Sequence, residues 1–308
     1  MDRTEGRDVN AGHGEVRRRT VTQDERSMPS IDVGGVQVAY AEAGSGETAL
    51  LLHSSASSSV QWRSLTEVLQ ARWRVLAPDL FGYGQTGQQA DPAAPSLADE
   101  AALALAVAQG AKRIHLVGHS YGAAVALRFA VEQPERLLSL TLIEPVSFHL
   151  LRHAPEGTTE HRLFREVAEL AADVTQAAAA GHGRRGMARF MDYWHGAGAW
   201  ARLRPDVQSA LALQAPQVAL DFRATMSDPT RLEALRQIAA PTLILRGSAS
   251  PWPTRRIAAL IALILPNVRF RTIDGAGHML PLTHRDPVND AIGDHLSRSA
   301  MTRQRPAA

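Results

Sequence analysis

Four short apolar runs constrain this chain more than any other feature: Ala49–Leu52, Arg74–Ala77, Ile114–Val117 and Leu138–Ile143. Each enters a turn, and helical patterns near 60–71, 96–111 and 121–133 separate them. Continuous apolar strands alternating with helices imply a parallel sheet with both faces covered. Before them, residues 31–40 alternate around Gly34-Gly35 and read as a β-hairpin. The rhythm stops over 146–235, where alanine-rich helical stretches replace strands, and resumes with Pro241–Arg246, a helix at 254–265, Val268–Ile273 and a helix near 287–298. A helical block inserted between two strands of such a sheet is expected to cap its C-terminal edge, where open α/β sheets bind ligands.

The expected organisation is a disordered tail at 1–28, a core from 29–145, a helical cap at 146–235 and the rest of the core at 236–303. The tail has almost no large apolar residues, and its Arg17-Arg18-Arg19 run lacks the apolar stretch an export signal needs. A cytoplasmic location is therefore expected. No run approaches the ~18 apolar residues of a membrane span. Lys112 is the one lysine and there is no cysteine, which removes thiol catalysis and leaves lysine chemistries almost without a candidate. With 33 basic and 31 acidic residues interspersed, nucleic acid is not an expected partner. A small-molecule substrate is expected, without metal or cofactor. Composition leaves the oligomeric state open.

The chemistry centres on Gly118-His-Ser-Tyr-Gly122, which follows one apolar strand and opens a helix. A serine exposed on so tight a strand-to-helix turn needs small residues two positions either side, and the helix N-terminus offers amides to a developing oxyanion. Ser120 is the expected nucleophile. Among twelve histidines, His278 in Asp274-Gly-Ala-Gly-His278 stands on a small-residue loop after the last strand and is the expected base. His119 should point away from Ser120, and His115 reads as a satisfied core histidine. His149, His153, His161, His182 and His195 fall within the cap.

Together with the His53 turn, the Pro78-Asp-Leu-Phe-Gly-Tyr-Gly84 segment and the Pro241 strand, these motifs resemble the α/β-hydrolase superfamily over roughly residues 30–303. The resemblance implies an α/β-hydrolase fold, a Ser–acid–His order and oxyanion donors at the backbone amides of Ser55 and Tyr121. Asp79 is then a structural residue of its turn. One family feature is missing: the acid usually follows the Pro-Thr-Leu-Ile-Leu strand, where this chain has Ser250. A serine cannot balance a buried imidazolium. Glu144, at the end of an apolar strand and before Pro145, is the expected replacement; a helix-capping role for Glu144, or an acid at Asp274 or in the cap, stays open.

The reading is a serine hydrolase acting through an acyl-enzyme on a small ester, lactone, thioester or amide. Ser54, Phe148, Trp194, Trp200 and Met279 are candidate pocket residues. Dehalogenase and epoxide hydrolase chemistry is disfavoured because in the family it needs an aspartate where Ser120 stands. Carbon–carbon bond hydrolysis, cofactor-free perhydrolysis and a non-enzymatic receptor on the same fold remain alternatives.

Overall fold

The computed structural model of the chain describes residues 28–89 and 96–304. Apart from Met28, the expected tail with Arg17–Arg19 lies outside the described residues. Strands β1 (Ser30–Val33) and β2 (Val36–Ala43) pair antiparallel, and Gly34 and Gly35 turn the chain at φ 60° and 85°. Both glycines occupy the left-handed region that such a two-residue turn requires.

The β/α rhythm follows: β3 (Glu47–Leu52), α1 (Arg63–Leu69), β4 (Trp73–Pro78), α2 (Leu97–Val107), β5 (Ile114–His119), α3 (Tyr121–Glu132) and β6 (Leu137–Ile143). Five helices come next, α4 (His149–Arg152), α5 (Thr159–Ala179), α6 (Gly183–His195), α7 (Pro205–Ala212) and α8 (Ala215–Ser227), and no strand interrupts them. The chain then returns through β7 (Thr242–Gly247), α9 (Trp252–Ile264), β8 (Val268–Ile273), α10 (Leu280–Thr283) and α11 (Arg285–Gln304).

The eight strands form one sheet in the order β1-β2-β4-β3-β5-β6-β7-β8, parallel from β4 to β8. Period-two alternation sorts its side chains. Leu50, Leu52, Leu116, Leu140, Leu142 and Ile244 pack with α2, α3, α9 and the helical insertion. Leu51, Val117, Ile143, Leu243 and Leu245 face the other way, onto Leu65 and Leu69 of α1 and Ile292 and Leu296 of α11. Burial of each such side chain contributes about 1.5–3 kcal/mol. The central strands β5 and β6 are buried along their whole length, which is why their sequences read as continuous apolar runs. Four strands end in succession at one edge, at His119, Ile143, Gly247 and Ile273. The residues that follow them build the site.

Candidate active site

Ser120 follows β5 directly and adopts φ 55°, ψ −114°, a conformation that costs a non-glycine residue about 1–3 kcal/mol. The surroundings over-determine it. Ser120 N–H donates to Ile143 O at 2.9 Å, Gly122 N–H donates to His53 O at 3.0 Å, and Ala123 and Ala124 N–H close onto Ser120 O. A Cβ on Gly118 would collide with Gly122 O, and one on Gly122 with Leu52 O, so the turn admits no side chain at either position. Among the described residues the non-glycine residues at positive φ are Ala56, Ser120 and Glu144, and all three stand at this edge.

His278, on the loop after β8, lies between the other two chemical groups. Its Nε2 is 2.8 Å from Ser120 Oγ, and its Nδ1 is 3.2 Å from Glu144 Oε2. All three side chains are buried. Glu144 takes its place because β6 ends one residue earlier, beside β7; its own N–H donates to Leu245 O at 3.0 Å. Four donors meet its carboxylate: Gly247 N–H at 2.7 Å and Ser250 Oγ at 2.6 Å on Oε1, Thr254 Oγ1 at 2.6 Å and His278 Nδ1 on Oε2. A carboxylate has about four acceptor sites, so Glu144 is saturated. Burial pushes its carboxyl up, yet the hydrogen bond and charge of His278, with the hydroxyls of Ser250 and Thr254, outweigh burial and hold it below the ordinary value. Ser250 thus stands beside the carboxylate rather than replacing it, and Asp274 bonds to Ser248 Oγ at 3.1 Å on an exposed loop.

Neighbouring histidines have structural partners. His119 Nε2 donates to the carbonyl of His278 at 2.9 Å, fixing the loop that carries the base. Burial, followed by the charge of His278, drives its pKa well below the usual imidazole value, so it stays neutral and donates. His115 Nδ1 pairs with Ser139 Oγ at 2.8 Å inside the sheet, and His149 Nδ1 donates to Thr225 O, tying α4 to α8. Asp79 accepts from Ser59 N–H and Gln85 N–H, so it staples its turn.

Two chambers meet at Ser120. The inner one, about 20 Å³, is lined by Ser55, Ser120, Tyr121, Phe148, Phe222 and Asp221, among others. The outer one, about 170 Å³, is lined by Ser54 through Ser57, His195, His278, Met279 and Leu282. Ser55, Ser120, Phe190 and Trp194 belong to both and stand at the boundary. The Trp194 ring also lies 4.3 Å from the His278 ring at 32°. Of the expected pocket residues, Phe148 lines the inner chamber, Ser54 and Met279 the outer, and Trp194 both. Trp200 lines neither. Its backbone N–H donates to Asp192 Oδ1 at 2.8 Å, and the Arg184 guanidinium lies 5.9 Å over its ring.

Tyr121 is the first residue of α3, which puts its amide in the unpaired first turn of the helix next to Ser120. Ser55 is held from the helical insertion: its Oγ donates to Asp221 Oδ2 at 2.5 Å, and Tyr83 OH donates to the same oxygen at 2.6 Å. Gln217 Nε2 donates to Asp221 Oδ1 at 3.1 Å. Burial pushes the Asp221 carboxyl up to about 6 despite these three donors. Asp221 and Thr254 were not anticipated from sequence. The one signal for Asp221 was an acid between Val218-Ala219-Leu220 and Phe222. No group of three or more His, Cys, Asp or Glu among the described residues is arranged to hold a metal ion. None of the helices there is long and apolar enough to cross a membrane.

Comparison with known proteins agrees with this architecture. A curated relative, the dihydrolipoyllysine-residue acetyltransferase component of an acetoin cleaving system from Cupriavidus necator, is 37% identical over 38% of this chain and 32% of its own length. A fluoroacetate dehalogenase from a Burkholderia species is 31% identical over 39% of this chain and 41% of its own. The chain therefore spans well under half the length of these curated relatives. A thermophilic esterase from Thermogutta terrifontis superposes with a TM-score of 0.67 at 22% identity, covering 88% of this chain and 97% of that one, which shows the fold alone. The family model described as the alpha/beta hydrolase family matches residues 49–291, and the chain belongs to that family.

Proposed function

We propose that the chain is a serine hydrolase working through an acyl-enzyme on a small ester, lactone, thioester or amide. The observation that carries this reading is His278, which bridges Ser120 Oγ and the buried carboxylate of Glu144. His278 Nε2 takes the Ser120 proton as Oγ attacks the substrate carbonyl, and Glu144 holds the Nδ1–H tautomer and balances the imidazolium. The amides of Tyr121 and Ser55 receive the oxyanion. His278 then protonates the leaving group, and a water activated by the same nitrogen releases the acid and regenerates Ser120.

The two chambers divide the substrate. The leaving group must come within reach of His278, which lines the outer chamber, so the acyl portion occupies the inner one. The inner space, about 20 Å³ against about 170 Å³ in the outer chamber, selects short acyl groups. A serine rather than a carboxylate on the turn favours acyl transfer over dehalogenation or epoxide opening. The α4–α8 insertion serves as the cap of this site.

Multiple-turnover hydrolysis of p-nitrophenyl acetate, lost in Ser120→Ala, is the expected result. Absence of turnover beyond one equivalent, or full activity in Ser120→Ala, would refute the proposal.

A further inference from the structure

The inner chamber is lined mostly by apolar side chains, and its one ionisable carboxylate is Asp221, hydrogen-bonded to Ser55. Four aromatic rings surround the space: Phe148 lies 6.1 Å from Phe222 and 6.4 Å from Trp194, and Phe190 lies 6.1 Å from Phe222 and 6.3 Å from Trp194. Asp221 holds Ser55 and Tyr83, yet a neutral acceptor could do the same without placing a charge against an apolar chamber. An ionised carboxylate in such a place is costly unless a cation or a full set of donors meets it. Asp221 is 3% exposed, and its donors Ser55, Tyr83 and Gln217 are all neutral. Oδ2 accepts two of them and Oδ1 one, which leaves Oδ1 with acceptor capacity.

We propose that the Asp221 carboxylate and the ring box of Phe148, Phe190, Trp194 and Phe222 form a recognition site for an ammonium group carried on the acyl portion of the substrate. An aromatic face attracts a cation, and the carboxylate supplies the charge partner. The arrangement fits an ammonium better than a hydroxyl, because a hydroxyl would fill the lone pair on Oδ1 and leave the charge unbalanced. Size limits the ligand: with the carbonyl carbon at Ser120, an inner chamber of about 20 Å³ suits a short aminoacyl group such as the glycyl of a glycyl ester. Specificity for short aminoacyl esters or amides follows. Asp221 is here a specificity residue that touches the substrate through its far end and takes no part in proton transfer.

The inference rests on the serine-hydrolase reading for the choice of chamber, and binding and turnover test the two separately. Glycine benzyl ester and propionate benzyl ester differ only by ammonium against methyl. At pH 7 an α-amino group of ordinary pKa, about 7.7–8.0, is mostly protonated. Calorimetric titration of Ser120→Ala with each ester should show the glycine ester binding at least tenfold tighter. Asp221→Asn in the same background should bring the two within threefold while leaving the propionate ester almost unchanged. Equal binding of both esters to Ser120→Ala, or tighter binding of propionate, overturns the proposal, and this comparison needs no change at Asp221. Equal weakening of both esters by Asp221→Asn also overturns it, since the carboxylate would then only hold the Ser55 loop. With Ser120 restored, hydrolysis of both esters without a glycine preference overturns the ammonium site and leaves the hydrolase reading intact. Tighter glycine ester binding with no turnover of either ester does the reverse.

Discussion

Ser250 Oγ donates a 2.6 Å hydrogen bond to Glu144 Oε1. At the position where the family resemblance places an acid, this chain has a hydroxyl that donates to a carboxylate at the end of the neighbouring strand. The contact forms because β6 and β7 are adjacent and parallel, so their ends present side chains to the same point above the sheet. Glutamate adds a methylene to the reach of aspartate, and its backbone at φ 50° turns the side chain toward His278. The backbone of Glu144 is strained, and the four donors to its carboxylate offset that cost.

The place of the acid can be tested by moving it to residue 250. Glu144→Gln keeps the shape and removes the charge, and kcat should fall by a factor of about 10²–10⁴. Adding Ser250→Asp to that variant should recover at least about tenfold of the loss, because the carboxylate then stands at a point already within hydrogen-bond reach of residue 144. Ser250→Asp alone should destabilise the fold, since two buried carboxylates would share one site. A Glu144→Gln enzyme with native kcat would remove the acid role from this residue.

Thr254 tests the donors around that carboxylate. Thr254→Val keeps the branched shape while deleting the hydroxyl that reaches Glu144 Oε2 at 2.6 Å. A hydrogen bond to a charged, buried acceptor is worth about 1.5–3 kcal/mol, and thermal unfolding should register a loss of that order. Because Thr254 touches no reacting atom, kcat should fall far less than in Glu144→Gln. A variant with unchanged stability would show that the remaining donors suffice.

Trp194 stands at the boundary between the chambers, so its removal should widen the inner one. In Trp194→Ala the ratio of kcat/KM for p-nitrophenyl butyrate over acetate should rise by about tenfold, as a methylene or two gains room at roughly 1–3 kcal/mol each. Absolute kcat should fall for both esters, because the His278 ring loses its 4.3 Å neighbour. An unchanged chain-length ratio would place the acyl group outside the inner chamber.

The alternation of apolar runs with helices conveyed most of the core, since a strand buried on both faces must be apolar at nearly every position. Ser120 and His278 were legible because their turns demand small neighbours at fixed offsets. Glu144 was legible for an energetic reason: a carboxylate ending an apolar strand is too costly to stand unpaired. Asp221 and Thr254 were not legible. Beyond near neighbours such as Gln217, their partners lie 166, 138 and 110 residues away along the chain, and no local pattern encodes such a contact. Trp200 shows the opposite failure. A tryptophan near an expected pocket reads as lining, while in the structure its ring lies under the Arg184 guanidinium.

Buried titratable groups predict how stability responds to pH. Burial lowers His53 and His295 to about 4, whereas imidazole in the unfolded chain titrates near 6.5. Between those values the unfolded chain binds more protons, so stability is complete above pH 6.5 and falls as pH drops toward 4. Asp221 acts in the opposite sense. Its carboxyl titrates at about 6 in the fold against an ordinary 3.8, so its burial cost is fully present above pH 6 and vanishes below 3.8. Each of these three shifts corresponds to roughly 3 kcal/mol. His119, His149, His195 and Glu144 are lowered too and also lose stability on acidification, Glu100 is raised and opposes them, and the balance is a net loss. Thermal unfolding followed from pH 8 to 4 should show Tm falling below pH 6.5. Asp221→Asn should raise Tm at pH 8 and have little effect at pH 4, which makes the curve steeper than in the parent. A parent Tm that stays level from pH 7 to 4.5, together with no gain from Asp221→Asn at pH 8, would mean that these groups are hydrated in solution.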